Sequence, residues 1–286
     1  MATILSGKAV AEALHQRLAQ QMQTLAAAGV TPTLVILRVG ERPDDLAYER
    51  GAAKRCEKLG VAVRRVTLAA DCAQEELMSA IRAVNEDAGI HGCLLLRPLP
   101  AGLDERAACE ALRPEKDVDC VTGASLARVF TGRGAGYPPC TAQACLEILD
   151  HYGCVLDGQR VTVVGRSLVI GKPAAMLLLA RNATVTVCHT HTMDLAAECR
   201  RADVLIAAAG KAGAIGPECV SRGQIIIDVG IHVTEDGGMC GDVDYPAVEP
   251  LAGAITPVPG GVGAVTSTVL AGHVIRAAAD AAGVAL

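Results

Sequence analysis

Apolar positions along the chain fall into two alternating periods. From Ser6 onward, Val10, Leu14, Leu18, Met22 and Leu25 recur every three or four residues, the spacing of an amphipathic helix that stops near Gly29. TLVILRVG (33 to 40) is short, β-branched and ended by glycine, which predicts a strand. A helix to Leu59 follows, then a strand over VAVRRVTL (61 to 68), a helix over AQEELMSAIRAVNED and a strand over GCLLLRPLP (92 to 100) closed by prolines. The Gly-rich segment TGRGAGYPPC (131 to 140) reads as a hinge or linker. Beyond it the alternation restarts, with a helix from Thr141 to about His151 and strands at 160 to 165, 183 to 188, 203 to 210 and 224 to 230. One helix is expected after Gly171 and a long Ala-rich one from about Thr266 to the end. Such β-α alternation implies α/β architecture with mostly parallel sheets covered on both faces. Two α/β domains facing each other across a cleft are the economical arrangement.

Composition narrows the function classes. The 286 residues carry a formal charge of −5, one Phe and no Trp, which argues against a nucleic-acid partner: phosphate needs a basic face and bases need aromatic platforms. No run approaches the length of a membrane span, and the first twenty residues lack a signal-peptide pattern. Twelve Cys are scattered without a C-x-x-C pair, which fits reduced thiols in the cytoplasm better than a disulfide framework, and no metal site is expected.

The clearest local signal is VTVVGRSLVIGKPAAMLLLA (161 to 180), an apolar strand, a turn with Gly165 and Gly171, and a helix with Pro173 near its start. Glycines there let the backbone approach a phosphate, and the helix N-terminus supplies free N–H groups. The motif departs from G-x-G-x-x-G, and a tight structural βα turn is the alternative. The next strand ends in CHTHT without the acidic residue that grips a ribose 2′-OH, whereas Arg166 and Thr190 suit a 2′-phosphate. That favours NADP over NAD.

The run GRSLVIGKP, with CHTHT, AAAGK (207 to 211), IIIDVGI (225 to 231), GDVD (241 to 244) and TPVPGGVG (256 to 263), closely resembles the methylenetetrahydrofolate dehydrogenase/cyclohydrolase family. KDVD (116 to 119), the PLP of LLLRPLP and the CT at 140 to 141 extend the likeness to nearly the whole chain. The resemblance implies a catalytic, folate-binding domain over 1–140, joined by a C-terminal helix over 267–286, and a Rossmann-like NADP domain over 141–266. It also implies a homodimer and a one-carbon derivative of tetrahydrofolate as substrate. For the cofactor it implies Gly165, Arg166 and Ser167 as the phosphate loop, Thr190 beside Arg166, and Ile231 as a backbone contact near the nicotinamide. For the folate it implies Asp119 on the pterin ring, Tyr48 along the substrate, and Pro257, Gly260 and Gly261 at the lip of the cleft. Without the resemblance, Ile231 reads as a core residue, Asp119 as a turn or cap, and Tyr48 as packing.

Two positions depart from the family pattern. Where members read Y-x-x-x-K, this chain has Tyr48-Glu49-Arg50-Gly51-Ala52, so Ala52 holds the lysine position. Lys54 lies about 200° further round the helix and points away. The glutamine of the usual V-Q-L-P-L-P aligns with Leu96. The losses are matched, because a buried Gln without its lysine would leave polar atoms unsatisfied. In addition, PGGVGAVT carries Ala264 and Val265 where PGGVGPMT is common. The expected activity is NADP-dependent oxidation of methylenetetrahydrofolate with weak or absent cyclohydrolase. The alternatives are a full bifunctional enzyme in which Arg50, Arg55 or Arg97 covers for the lysine, and an inactive folate or NADP binder.

Overall fold

The computed structural model describes residues 2–286, which divide into two compact units. One comprises Ala13–Cys140 with Ser267–Leu286, and the other runs to Glu12 and resumes over Thr141–Thr266. The first domain is expected to begin at residue 1, whereas in the structure the residues up to Glu12 group with the later unit. The short strand β1 (Thr3–Ile4) pairs in parallel with a strand at Ala254–Ile255, and the amides of Thr3 and Leu5 donate to the carbonyls of Gly253 and Ile255, both at 2.8 Å. Those bonds tie the start of the chain to the later unit.

In the unit of residues 13–140 and 267–286, three parallel strands lie in the order β3-β2-β4: β2 (Thr33–Val39), β3 (Ala62–Leu68) and β4 (Gly92–Leu95). All seven residues of β2 are buried, as a central strand covered on both faces requires. It nevertheless contains Arg38. That charge is neutralised by Glu49 at 2.9 Å, on the helix Pro43–Lys58, and its guanidinium also donates to the Gly40 carbonyl. Leu77, Ile81 and Val84, on one face of the helix Gln74–Glu86, pack on Val35, Leu37, Cys93 and Leu95. The segment 131–140 is no slack linker. Tyr137 in it is buried, and Arg128 donates to the Gly136 carbonyl.

In the other unit, six parallel strands take the order β1-β11-β8-β7-β5-β6, with β5 (Arg160–Val164), β6 (Thr184–Cys188), β7 (Val204–Ala207), β8 (Ile225–Asp228) and β11 (Ala254–Ile255). A separate hairpin of two-residue strands, β9 (His232–Val233) and β10 (Met239–Cys240), pairs antiparallel. The chain crosses from β5 to β6 on one side and returns to β7 on the other. The end of β5 is thus a topological switch point, the place where open parallel sheets bind ligands. Among the described residues, no helix is long and apolar enough to cross a membrane.

Candidate functional site

At the switch point β5 runs into Gly165, whose φ of +128° is open to glycine and strained for other residues. A Cβ at Gly165 would overlap the Ala208 carbonyl, and one at Gly171 would overlap the Gly165 carbonyl. Both glycines are needed for so tight a turn, and the helix Gly171–Leu179 begins directly on it. Ser167 stabilises the turn by accepting the Ile170 amide at 3.1 Å. Arg166 and Thr190 are exposed. Because Val164 pairs with Cys188, they stand at equivalent positions two residues beyond the ends of adjacent strands. The glycine cradle, the helix N-terminus and the Arg–Thr pair fit a phosphorylated dinucleotide.

A pocket of about 300 Å³ lies beyond the ends of β8 and β11, lined by Ile231, Pro257, Gly260 and Gly261 together with Lys8 and Asp228. Ile231 is 55% exposed, so it is not the core residue that its place after a strand suggests. Gly165, Arg166, Ser167 and Thr190 lie outside this pocket. Asp228 organises its floor by accepting the amides of Gly230 at 3.1 Å, Asp242 at 2.9 Å and Val243 at 3.1 Å. Burial pushes its carboxyl up to about 6 against the pull of these amides, with the Asp242 charge adding to the rise. Asp242 in turn holds His232 Nε2 at 2.7 Å and accepts the Gly210 amide at 2.9 Å. Sequence reasoning missed Lys8. Its signal is a cation in the first turn of the helix Gly7–Ala27, the end where a helix dipole disfavours one.

Tyr48, Ala52, Leu96 and Asp119 all belong to the other unit. Tyr48, Ala52 and Cys56 recur at four-residue spacing on one face of the helix Pro43–Lys58. Ala52 is 1% exposed and Leu96 is 5% exposed, whereas Lys54 faces solvent and Arg55 is half-buried. Burial, followed by the charge of Asp119, raises the Tyr48 hydroxyl well above the ordinary phenol range, although 38% of the residue's surface is exposed. The hydroxyl end is the desolvated one, so Tyr48 is a donor at neutral pH. Burial also raises the Asp119 carboxyl, while Cys140 and Arg97 oppose the rise. The Cys140 amide donates to Asp119 Oδ1 at 3.2 Å. Burial pushes the Cys56 thiol up to about 12 and the Cys140 thiol well above its usual range. Tyr48, Cys56 and Cys140 therefore keep their protons at neutral pH, and none of the three exchanges one readily.

A parallel-sheet unit with a glycine-cradled turn at its switch point defines a dinucleotide-binding α/β protein. Two family models match the chain: the tetrahydrofolate dehydrogenase/cyclohydrolase catalytic domain over residues 5–119 and the NAD(P)-binding domain of the same family over residues 139–282. The chain belongs to that family. It is 47% identical over 274 residues to a bifunctional protein FolD of Clostridioides difficile, covering 96% of each chain. Among solved structures it is similar to the bifunctional methylenetetrahydrofolate dehydrogenase/cyclohydrolase of Campylobacter jejuni, with TM-score 0.95, 34% identity and coverage of 98% and 99%. A Trypanosoma brucei methylenetetrahydrofolate dehydrogenase-cyclohydrolase complexed with NADP and an inhibitor matches with TM-score 0.90, 33% identity and 98% of each chain.

Proposed function

We propose that this protein oxidises 5,10-methylenetetrahydrofolate to 5,10-methenyltetrahydrofolate with NADP, and that its cyclohydrolase activity is weak or absent. Oxidation takes a hydride from the one-carbon bridge and leaves a methenyl cation; bound NADP supplies the acceptor. The protein's part is alignment. Asp119 accepts paired N–H bonds from the pterin, and Tyr48 donates along the substrate. Gly165, Arg166, Ser167 and Thr190 hold the cofactor phosphates, and Ile231 lies near the nicotinamide. Pro257, Gly260 and Gly261 border the substrate. No step of this oxidation requires a tunable amine.

Hydrolysis of the methenyl cation does require one, because water must lose a proton as it adds and the ring nitrogen must gain one. The observation that carries the reading is the buried methyl group of Ala52 one helical turn from Tyr48, matched by the buried Leu96. The neighbouring Tyr48, Cys56 and Cys140 hold their protons too tightly to replace a lysine. Arginine is a poor proton shuttle near neutral pH, and the Arg97 guanidinium is already engaged 3.7 Å from Glu105. Twelve free thiols support a reducing, cytoplasmic setting, and the family resemblance supports a homodimer.

The decisive experiment measures both activities in the wild type and in the double variant Ala52→Lys, Leu96→Gln. NADPH formation is expected in both proteins. Methenyl hydrolysis is expected at the spontaneous rate in the wild type and roughly 100-fold or more above it in the variant, the usual yield of a positioned acid-base group. Rapid hydrolysis by the wild type would establish a full bifunctional enzyme. Tight folate and NADP binding with no NADPH formed would instead establish an inactive binder.

A further inference from the structure

Asp119 sits in an unusual stretch of backbone. Cys120, directly after it, has φ of +61°, a left-handed conformation that costs a non-glycine residue roughly 1 kcal/mol. Such a residue keeps its conformation only where its surroundings hold it. On the near side, Asp117 is fully buried and accepts the amides of Val121 and Thr122, each at 2.9 Å. What holds the peptide entering Asp119 is a different group, His273, on the last helix (Gly263–Ala282).

His273 is 8% exposed, and its Nδ1 lies 2.9 Å from the Val118 carbonyl. Burial lowers its pKa to about 4, so the imidazole is neutral at pH 7. A carbonyl only accepts, so the proton of the neutral ring must sit on Nδ1. The Cys140 thiol reaches the same carbonyl at 3.3 Å. The Cys140 sulfur is also 3.7 Å from Nδ1, and the same thiol interacts with the Asp119 side chain. The ring itself is fixed by stacking on Tyr137, with centroids 5.1 Å apart and planes at 28°, and the Tyr137 hydroxyl donates to Asp280 at 3.3 Å.

The geometry points to His273 as a positioning residue for folate recognition. Its Nδ1–H locks the Val118–Asp119 peptide and so aims the Asp119 carboxylate at the pterin. This rests on the assignment of Asp119 to the pterin given above. His273 makes no hydrogen bond to the Asp119 carboxylate and acts on it through the Val118 carbonyl, alongside Cys140, which contacts all three groups.

The test compares three replacements in the full-length protein. The amide nitrogen of His273→Asn reproduces the position of Nδ1, that of His273→Gln lies nearer the position of Nε2, and His273→Leu has no donor. In the Gln and Leu variants the KM for methylenetetrahydrofolate is expected to rise roughly tenfold, the size of one misplaced hydrogen bond, while kcat and the KM for NADP stay within about twofold. His273→Asn should restore the wild-type folate KM. Asp119→Asn is measured alongside, and combining it with His273→Gln should add little, because both act through one carboxylate. A wild-type folate KM in His273→Gln, or an Asn variant as impaired as the Gln variant, overturns the inference. So does a loss confined to kcat. If Asp119→Asn leaves the folate KM unchanged, the pterin assignment itself fails, whereas a raised KM in Asp119→Asn with a normal one in His273→Gln sinks only the role of His273. Should His273→Leu not fold, the Asn and Gln pair, both polar and close in volume, still decides.

Discussion

Asp228 illustrates how strictly one buried group is specified. Its Oδ1 takes two amides and its Oδ2 a third, an arrangement that needs acceptor capacity on both oxygens. Asn keeps one such oxygen and turns an NH2 group toward the third amide. Asp228→Asn should therefore lose about 1–3 kcal/mol of stability, the cost of an unsatisfied buried donor, read as a lower urea midpoint at unchanged slope. A midpoint equal to the wild type would show that the Val243 amide finds another acceptor. This residue was legible only as part of the quoted IIIDVGI run; nothing in the letters says that Asp228 and Asp242 share the loop beneath Ile231. The departures at Ala52 and Leu96 were legible only against the family resemblance, whose Y-x-x-x-K and V-Q-L-P-L-P patterns locate both positions. Lys8 and His273 were not. Each reaches its neighbours through contacts between segments far apart in the chain, as His273 reaches Val118, and periodicity carries no record of such contacts.

At the scale of elements, the long helices and the buried strands match the expected ones within a few residues, because each carries at least two full periods. The strand expected over 92–100 ends at Leu95, since the prolines at 98 and 100 cannot extend a ladder. The strands β1, β9, β10 and β11 have two residues each, too few to show alternation. Short helices at Glu105–Ala111, Gly123–Thr131 and Leu195–Arg200 also escaped. Each starts at a capping side chain, Asp104, Thr122 or Asp194, that accepts an amide three residues on, so the caps rather than a long apolar face mark them. In the proposed reading, cofactor binding depends most on the βα turn after β5. Gly171→Ala forces a Cβ into the Gly165 carbonyl, and backbone on both sides leaves no flexible group to yield. The turn must open, and NADPH affinity measured by fluorescence should fall more than roughly tenfold, while folate affinity changes little. Unchanged NADPH affinity would mean that the phosphates do not rest on this turn.

Across the whole molecule, the twelve cysteines set the response to alkali. All are free, and nine are buried. Burial raises the thiols of Cys56, Cys93, Cys145 and Cys199 from 9.0 to about 12. Between those values the folded protein keeps protons that the unfolded chain has released. The unfolded state then binds fewer protons, so stability falls as pH rises through this window and is unaffected by these groups below it. Four such thiols give a slope of about 5 kcal/mol per pH unit near pH 10.5, against a total stability on the order of 10 kcal/mol. No disulfide offsets the loss, and a chain already at −5 gains further negative charge. Urea midpoints should be flat from about pH 7 to 8.5 and collapse by about pH 10.5. Cys145→Ala tests the origin of the effect, because Cys145 is buried and its thiol donates only to the Thr141 carbonyl, at 3.3 Å. The variant starts from a lower midpoint, since the smaller side chain leaves a void, but its slope above pH 9.5 should be shallower by about 1.4 kcal/mol per pH unit, the weight of one proton. Equal slopes in the two proteins would assign the alkaline loss to lysines and tyrosines instead of buried thiols.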